Sequence, residues 1–259
     1  MKSTIIFLLI FFVSAGLYGQ LSNYEFENYT KGNDTLPYRI MYPAGFDYHH
    51  PFPVVFFLHG SGERGNDNES QLTHGGSFFS SDFARSEYPA VVVFPQCSTN
   101  DYWAKVDFGL DGEGKRTFSF RPDLEPTLSM KMLMSLVDSV MGLEWADKSQ
   151  LYVGGLSMGA MGTFELLFRK PDLFAAAFPI CGGGLTETTS AYAEKVSLWI
   201  FHGEVDSVVP VKFSKDMADA IKKNGGDIHL TIYPEVNHNA WDYVFLEKEL
   251  LPWLFSCRK

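Results

Sequence analysis

The stretch Leu151-Tyr152-Val153-Gly154-Gly155-Leu156-Ser157-Met158-Gly159-Ala160-Met161-Gly162 passes from a β-branched and aromatic run onto glycines around one serine, then continues with helical character. Gly155, Ser157 and Gly159 make a GxSxG pattern. Alone the pattern is common, and a serine between glycines is equally a turn residue. Its setting adds weight. A strand enters and a helix leaves, so the serine must sit on a sharp turn, and side chains two residues to either side would meet the crossing backbone. Such a turn lifts the hydroxyl out of the sheet, and the helix N-terminus behind it favours developing negative charge. The stretch predicts a nucleophile whose partners lie elsewhere in the chain.

Outward from it, strands and helices alternate. Upstream, residues 36 to 42 alternate in polarity and read as an antiparallel edge strand before Pro43. Residues 53 to 58 are continuously apolar, as in a central parallel strand, and run into His59-Gly60-Ser61-Gly62-Glu63-Arg64-Gly65. Residues 78 to 85 read as helix and 90 to 95 as a third buried strand. Residues 96 to 126 carry no sustained period and are long for a structureless connection, so they read as a binding rim or an exposed insertion. Residues 128 to 141 have one apolar helical stripe, in which the methionines fill the core. Downstream, the serine's helix runs to about Lys170 before Pro171. Strands then follow at 174 to 181, 197 to 201 and 229 to 233, with a helix over 211 to 224 and a helical tail over 241 to 255. This order predicts an α/β fold, a mostly parallel sheet with helices on both faces, in a single domain over 20–259. In such sheets the ligand lies beyond the carboxyl ends of the strands, where the glycine-rich breaks fall.

Composition narrows the partners. The 259 residues carry 31 acidic against 21 basic side chains, a net charge of −10 without a basic run, which argues against nucleic acid and anionic membranes. Lys2, the apolar run from Ile5 to Val13 and the small residues Ser14, Ala15, Gly16 and Gly19 match a secretory signal peptide over 1–19, cleaved near Gly19 or after Gly16. The mature protein is expected to be exported, periplasmic or extracellular, with no membrane contact after signal removal. Cys97, Cys181 and Cys257 permit at most one disulfide, so at least one thiol stays free. No metal-ligand spacing appears, and no metal is expected.

A serine hydroxyl needs a base, and the base an acid to orient it. Asp206 lies past the strand at 197 to 201, in a loop closed by Val208-Val209-Pro210. His238 lies in the loop after the last strand. An aspartate before a helix is often a cap and a loop histidine often a surface residue. In the order Ser157, Asp206, His238, at successive strand ends, they predict a catalytic triad. His202 precedes Asp206 and is in the wrong order for the base, and His59 reads as a structural partner of its loop. Glu204 is an alternative acid, set close to the strand end. The oxyanion of a tetrahedral intermediate needs two donors, each worth about 3 to 4 kcal/mol. The amides of Met158 and Ser61 are the candidates.

His59-Gly60-Ser61-Gly62-Glu63-Arg64-Gly65-Asn66-Asp67-Asn68, Pro95-Gln96-Cys97 with Trp103, Gly155-Leu156-Ser157-Met158-Gly159, Pro179-Ile180-Cys181-Gly182-Gly183-Gly184, His202-Gly203-Glu204-Val205-Asp206 and His238-Asn239-Ala240-Trp241-Asp242 together resemble the α/β-hydrolase superfamily. More narrowly they resemble the secreted bacterial "predicted peptidase" and carboxylesterase group, which is similar to feruloyl and acetyl-xylan esterases and to the prolyl oligopeptidase catalytic domain. The resemblance covers essentially the whole mature chain. It implies a serine hydrolase that cleaves carboxylic esters through an acyl-enzyme, without metal or organic cofactor, on a small-molecule or polysaccharide-linked ester such as a feruloyl or acetyl ester. A serine peptidase of the prolyl oligopeptidase type is the alternative, although its gating β-propeller has no room in this length. A non-catalytic binding protein of the same fold is the other. Ser157 disfavours dienelactone hydrolase chemistry, which uses a cysteine at the elbow. Trp103 and Trp241 are candidate substrate-binding residues, with Phe78, Phe79 and Phe108 beside them, and equally candidates for core and rim.

Overall fold

The computed structural model describes residues 21–114 and 116–259, so the expected signal peptide over 1–19 lies outside the described residues. Among the described residues ten strands and seven α-helices follow one another. They are β1 (Glu25–Lys31), β2 (Asp34–Met41), β3 (Phe52–Leu58), α1 (Gly76–Phe79), α2 (Asp82–Glu87), β4 (Val91–Pro95), β5 (Val106–Leu110), β6 (Arg116–Phe120) and α3 (Leu128–Met141). Then come β7 (Ala146–Leu156), α4 (Met158–Arg169), β8 (Ala176–Ile180), β9 (Ser197–Gly203), α5 (Lys212–Lys223), β10 (Ile228–Tyr233), α6 (Trp241–Val244) and α7 (Leu250–Ser256). Eight strands form one sheet in the order β1-β2-β4-β3-β7-β8-β9-β10. Only β1/β2 and β2/β4 pair antiparallel, and every other neighbouring pair is parallel.

The central strands are buried on both faces, which is why they read as unbroken apolar runs. Along β3, Val54, Phe56 and Leu58 enter a core beneath α3, α4 and α5, while Val55 and Phe57 enter a second core beneath α1, α2, α6 and α7. The alternation follows from the two-residue period of a strand. The fold is the α/β arrangement expected, with helices on both faces.

Three expectations need correction. The strand at 36 to 42 is not the edge. It pairs on one side with β4 and on the other with β1, whose mostly exposed side chains show little apolar pattern. The segment 96 to 126 is not structureless, because β5 and β6 form an antiparallel hairpin from Val106↔Phe120 to Leu110↔Arg116. Its residues are largely exposed, so no core-facing alternation marked it. The helices expected over 78 to 85 and 241 to 255 are each split in two. In the first, Ser81 adopts extended backbone and caps α2 by accepting from the Ala84 amide at 3.2 Å.

Candidate active site

β7 delivers its chain straight into α4, with Ser157 at the junction. Ser157 has φ 53° and ψ −114°, a left-handed conformation that a side-chain-bearing residue adopts only when its surroundings impose it. Here the surroundings do so. The Ser157 amide donates to the Ile180 carbonyl on β8 at 2.8 Å, and its carbonyl accepts from Met161 at 3.1 Å as α4 begins. A Cβ at Gly159 would overlap the Leu58 carbonyl at the end of β3, and one at Gly155 would press on the Gly159 backbone. The glycines at both sides of the serine are therefore steric requirements of the turn.

His238 and Asp206 arrive from the ends of β10 and β9. The Ser157 hydroxyl lies 2.9 Å from His238 Nε2, and His238 Nδ1 lies 2.7 Å from Asp206 Oδ2. Asn237 ties the two loops together, because its Oδ1 accepts from the Ser207 amide at 2.8 Å and from the His238 amide at 2.8 Å. Asp206 Oδ1 accepts the amides of Val208 and Val209, each at 2.9 Å. Burial, the largest influence on the Asp206 carboxyl, would raise its pKa, but hydrogen bonds from His202, His238 and the Val209 amide outweigh it and hold it well below the usual carboxylate range. Asp206 is thus a buried, ionised orienting group. Glu204 is exposed, and its amide continues the β9–β10 pairing by donating to Tyr233 at 2.9 Å.

His202 takes a place that its sequence position did not reveal. Fully buried behind Asp206, it has Nε2 2.9 Å from the Val209 carbonyl and 3.1 Å from Asp206 Oδ2. Both are acceptors, so Nε2 carries a proton, while Nδ1 meets Ser214 Oγ at 2.7 Å. Cys181 Sγ, His202 and Asp206 have ligand-type atoms within 4.8 Å of one another. Because the imidazole nitrogens and carboxylate oxygens are already engaged, the trio is a hydrogen-bonded support for the acid. The sequence signal for Asn237 was its place directly before His238, and for His202 its spacing of four from Asp206.

His59 fixes the opposite loop, donating from Nδ1 to the Gly60 carbonyl at 2.6 Å and accepting the Cys97 amide on Nε2 at 2.9 Å. Burial pushes its imidazole down to about 4, so it stays neutral at ordinary pH. Gly60 packs against Leu156, the residue before the nucleophile, which sets Ser61 and its amide beside the elbow. The Met158 amide is at the first position of α4, where no intrahelical acceptor exists.

Of the two candidate tryptophans, Trp241 lies at the site and Trp103 does not. Trp241 is half-buried and edge-on to His238, with ring centroids 5.4 Å apart. Trp103 is 0% exposed and belongs to the core under α4. A Cβ at Gly162 would overlap that of Trp103, so the glycine seats the indole inside the protein rather than at a pocket wall. Phe79 is buried in the second core with Phe78 packed against it, while Phe108 is exposed on the β5–β6 hairpin.

Residues 123–248 match the model of the phospholipase/carboxylesterase family. A thermostable esterase superimposes with a TM-score of 0.82 at 27% identity, over 92% of this chain and 64% of that one. The chain has the α/β-hydrolase fold. The chain also matches a CE1 ferulic acid esterase from the anaerobic fungus Anaeromyces mucronatus, with a TM-score of 0.60 at 17% identity over 83% of this chain and 84% of that one. Dipeptidyl peptidase 4 from Porphyromonas gingivalis gives 0.65 at 15% identity, over 90% of this chain and 35% of that one. These two likenesses are of fold alone. The chain spans 64% of the thermostable esterase and about a third of the peptidase. No curated protein sequence matches it.

Proposed function

We propose that this α/β-hydrolase is a serine ester hydrolase working through an acyl-enzyme. The observation that carries the reading is the hydrogen-bonded chain from Ser157 through His238 to Asp206, begun on a backbone strained into the left-handed region. In the first step His238 Nε2 takes the hydroxyl proton as Ser157 Oγ attacks the ester carbonyl. The oxyanion that forms is held by the amides of Met158 and Ser61. Collapse breaks the bond to the alcohol, which leaves with the proton from His238. Water then repeats the sequence against the acyl-serine and releases the acid. Asp206 keeps the imidazole in the tautomer that leaves Nε2 free to accept, and stabilises the cation formed in both steps.

The phospholipase/carboxylesterase family match and the esterase neighbour favour ester over amide chemistry. Feruloyl or acetyl esters on polysaccharide are the substrates this reading favours, and the ferulic acid esterase neighbour supports them through fold only. Export under a signal peptide over 1–19 accords with such a substrate, and no helix among the described residues is long and apolar enough to cross a membrane. Ser157→Ala is expected to lower turnover of 4-nitrophenyl acetate and methyl ferulate by at least about 10³-fold and to abolish labelling by a fluorophosphonate. Unchanged ester turnover, or fast cleavage of a prolyl amide beside negligible ester turnover, overturns the reading.

A further inference from the structure

Next to the Ser61 loop lies a groove of about 460 Å³ whose lining includes Ser61, Arg64, Tyr102, Phe108, Leu110 and Arg116. Its lining joins residues of the β5–β6 hairpin to Ser61, the residue whose amide is proposed to hold the oxyanion. Through Ser61, a group bound there as part of an ester substrate lies next to the proposed oxyanion site.

The charge of the lining is opposite to that of the molecule. The protein carries a net charge of −10, yet the groove has two guanidinium groups and no carboxylate in its lining. Arg64 is fastened by Nε to the Ser61 carbonyl at 3.0 Å and by one terminal nitrogen to the Asp101 carbonyl at 3.2 Å. Neither Arg64 nor Arg116 has an ion-pair partner among the described residues, whereas Arg121, Arg169 and Arg258 each do. Asp101 accepts the amides of Tyr102 and Ser129, and Asp107 faces Arg121. In the same lining the Tyr102 and Phe108 rings meet edge-on at 5.2 Å, and Phe108 and Leu110 are left 55% and 70% exposed. Two unpaired guanidinium groups flanking an apolar, aromatic floor match a carboxylate carried on a ring or short chain.

We propose that this groove is a subsite for a carboxylate on the ester substrate, with Arg116 as its specificity-determining residue and Arg64 as a second, fixed cation. The inference rests on the ester-hydrolase reading. The carboxylate has two possible sources, a uronic acid unit on the saccharide side and a free acid on the acyl side, and the groove recognises the chemistry common to both.

Two arms separate them. In the acyl arm, kcat/KM for 4-nitrophenyl hydrogen succinate is compared with that for the neutral 4-nitrophenyl pentanoate. In the saccharide arm, calorimetry on Ser157→Ala compares a xylo-oligosaccharide bearing glucuronate with its neutral counterpart. At low salt, one arm is expected to favour the anion by about tenfold, and the preference is expected to shrink toward unity at 1 M salt and in Arg116→Gln. Arg116→Glu should reverse it. Melting temperature and far-UV circular dichroism of Arg116→Gln, compared with wild type, report a folding defect separately. Failure to hydrolyse any ester sinks the ester-hydrolase reading, while the calorimetric arm still judges the groove. No preference for the anion in either arm, or a preference that survives Arg116→Gln and Arg116→Glu, overturns the proposal.

Discussion

Four donors converge on the two oxygens of Asp206: the amides of Val208 and Val209, His238 Nδ1 and His202 Nε2. A carboxylate held this way stays charged although buried, and orients the imidazole in front of it without taking its proton. His59 and Asp206 both make the fold acid-sensitive, by different routes. The carboxyl is held below its usual range, so its contribution is complete above about pH 4 and is lost as pH falls through the native value. For His59 the unfolded chain takes up a proton near about 6.5 that the native state refuses until about 4, so stability rises with pH across that window. The size of this effect is on the order of 3 kcal/mol over the whole interval. Urea midpoints measured from pH 7.5 to 4.5 are expected to fall steadily in the wild type. In His59→Gln the slope should flatten, and an equally steep fall there would remove His59 from the account.

At the scale of elements, the elbow depends on how closely α4 approaches β3. Gly159 allows the first turn of the helix to touch the Leu58 carbonyl, and Gly162 admits the Trp103 side chain one turn later. Backbone on the other side of the first contact cannot give way as a side-chain tip can. Gly159→Ala is therefore expected to cost more than about 3 kcal/mol, seen as a large drop in melting temperature or a failure to accumulate as soluble protein. A melting temperature within two or three degrees of wild type would contradict this packing. The β5–β6 hairpin is a different kind of element. It pairs with no strand of the main sheet and is anchored by Val106, Phe118 and Phe120 against Met161, Val209 and Phe213. Glu165 on α4 accepts the Lys105 amide at its base at 2.6 Å. Its exposed side chains are thus presented to the groove beside Ser61 rather than used to hold the fold.

Across the whole molecule, stability rests on the two cores and not on covalent links. Cys97, Cys181 and Cys257 are all free, the first two buried, and burial pushes both of those thiols up to about 12. The C-terminus is tied back by hydrogen bonds from Tyr152 Oη to the Cys257 carbonyl at 2.9 Å and from the Lys259 amide to Ser149 at 3.0 Å. Thiols this unreactive survive an oxidising compartment, which suits the proposed export. Protein recovered outside the cytoplasm is expected to begin near Gln20 and to titrate three thiols after denaturation but at most one, Cys257, while folded. A chain that retains residues 1–19 would count against export, and a disulfide would count against this description of the cores.

The sequence by itself determined the parallel part of the sheet and the meeting of the candidate triad. Continuous apolar runs bounded by glycine are legible because a strand buried on both faces admits little else, and Ser157, Asp206 and His238 could be assembled because parallel strands bring all their carboxyl ends to one edge. Exposed strands such as β1, β5 and β6 were not legible, since a solvated face places little demand on residue type. The tertiary structure alone decided the rest. Trp103 and Trp241 look alike as exposed-loop aromatics in the sequence, and only the missing Cβ of Gly162 buries the first while His238 keeps the second at the site. The support of Asp206 by His202, and the meeting of Arg64 with Arg116 across a groove, are contacts between distant segments or around a tight loop. Such contacts leave no periodic trace in the chain, because packing in three dimensions, not spacing along it, brings the groups together.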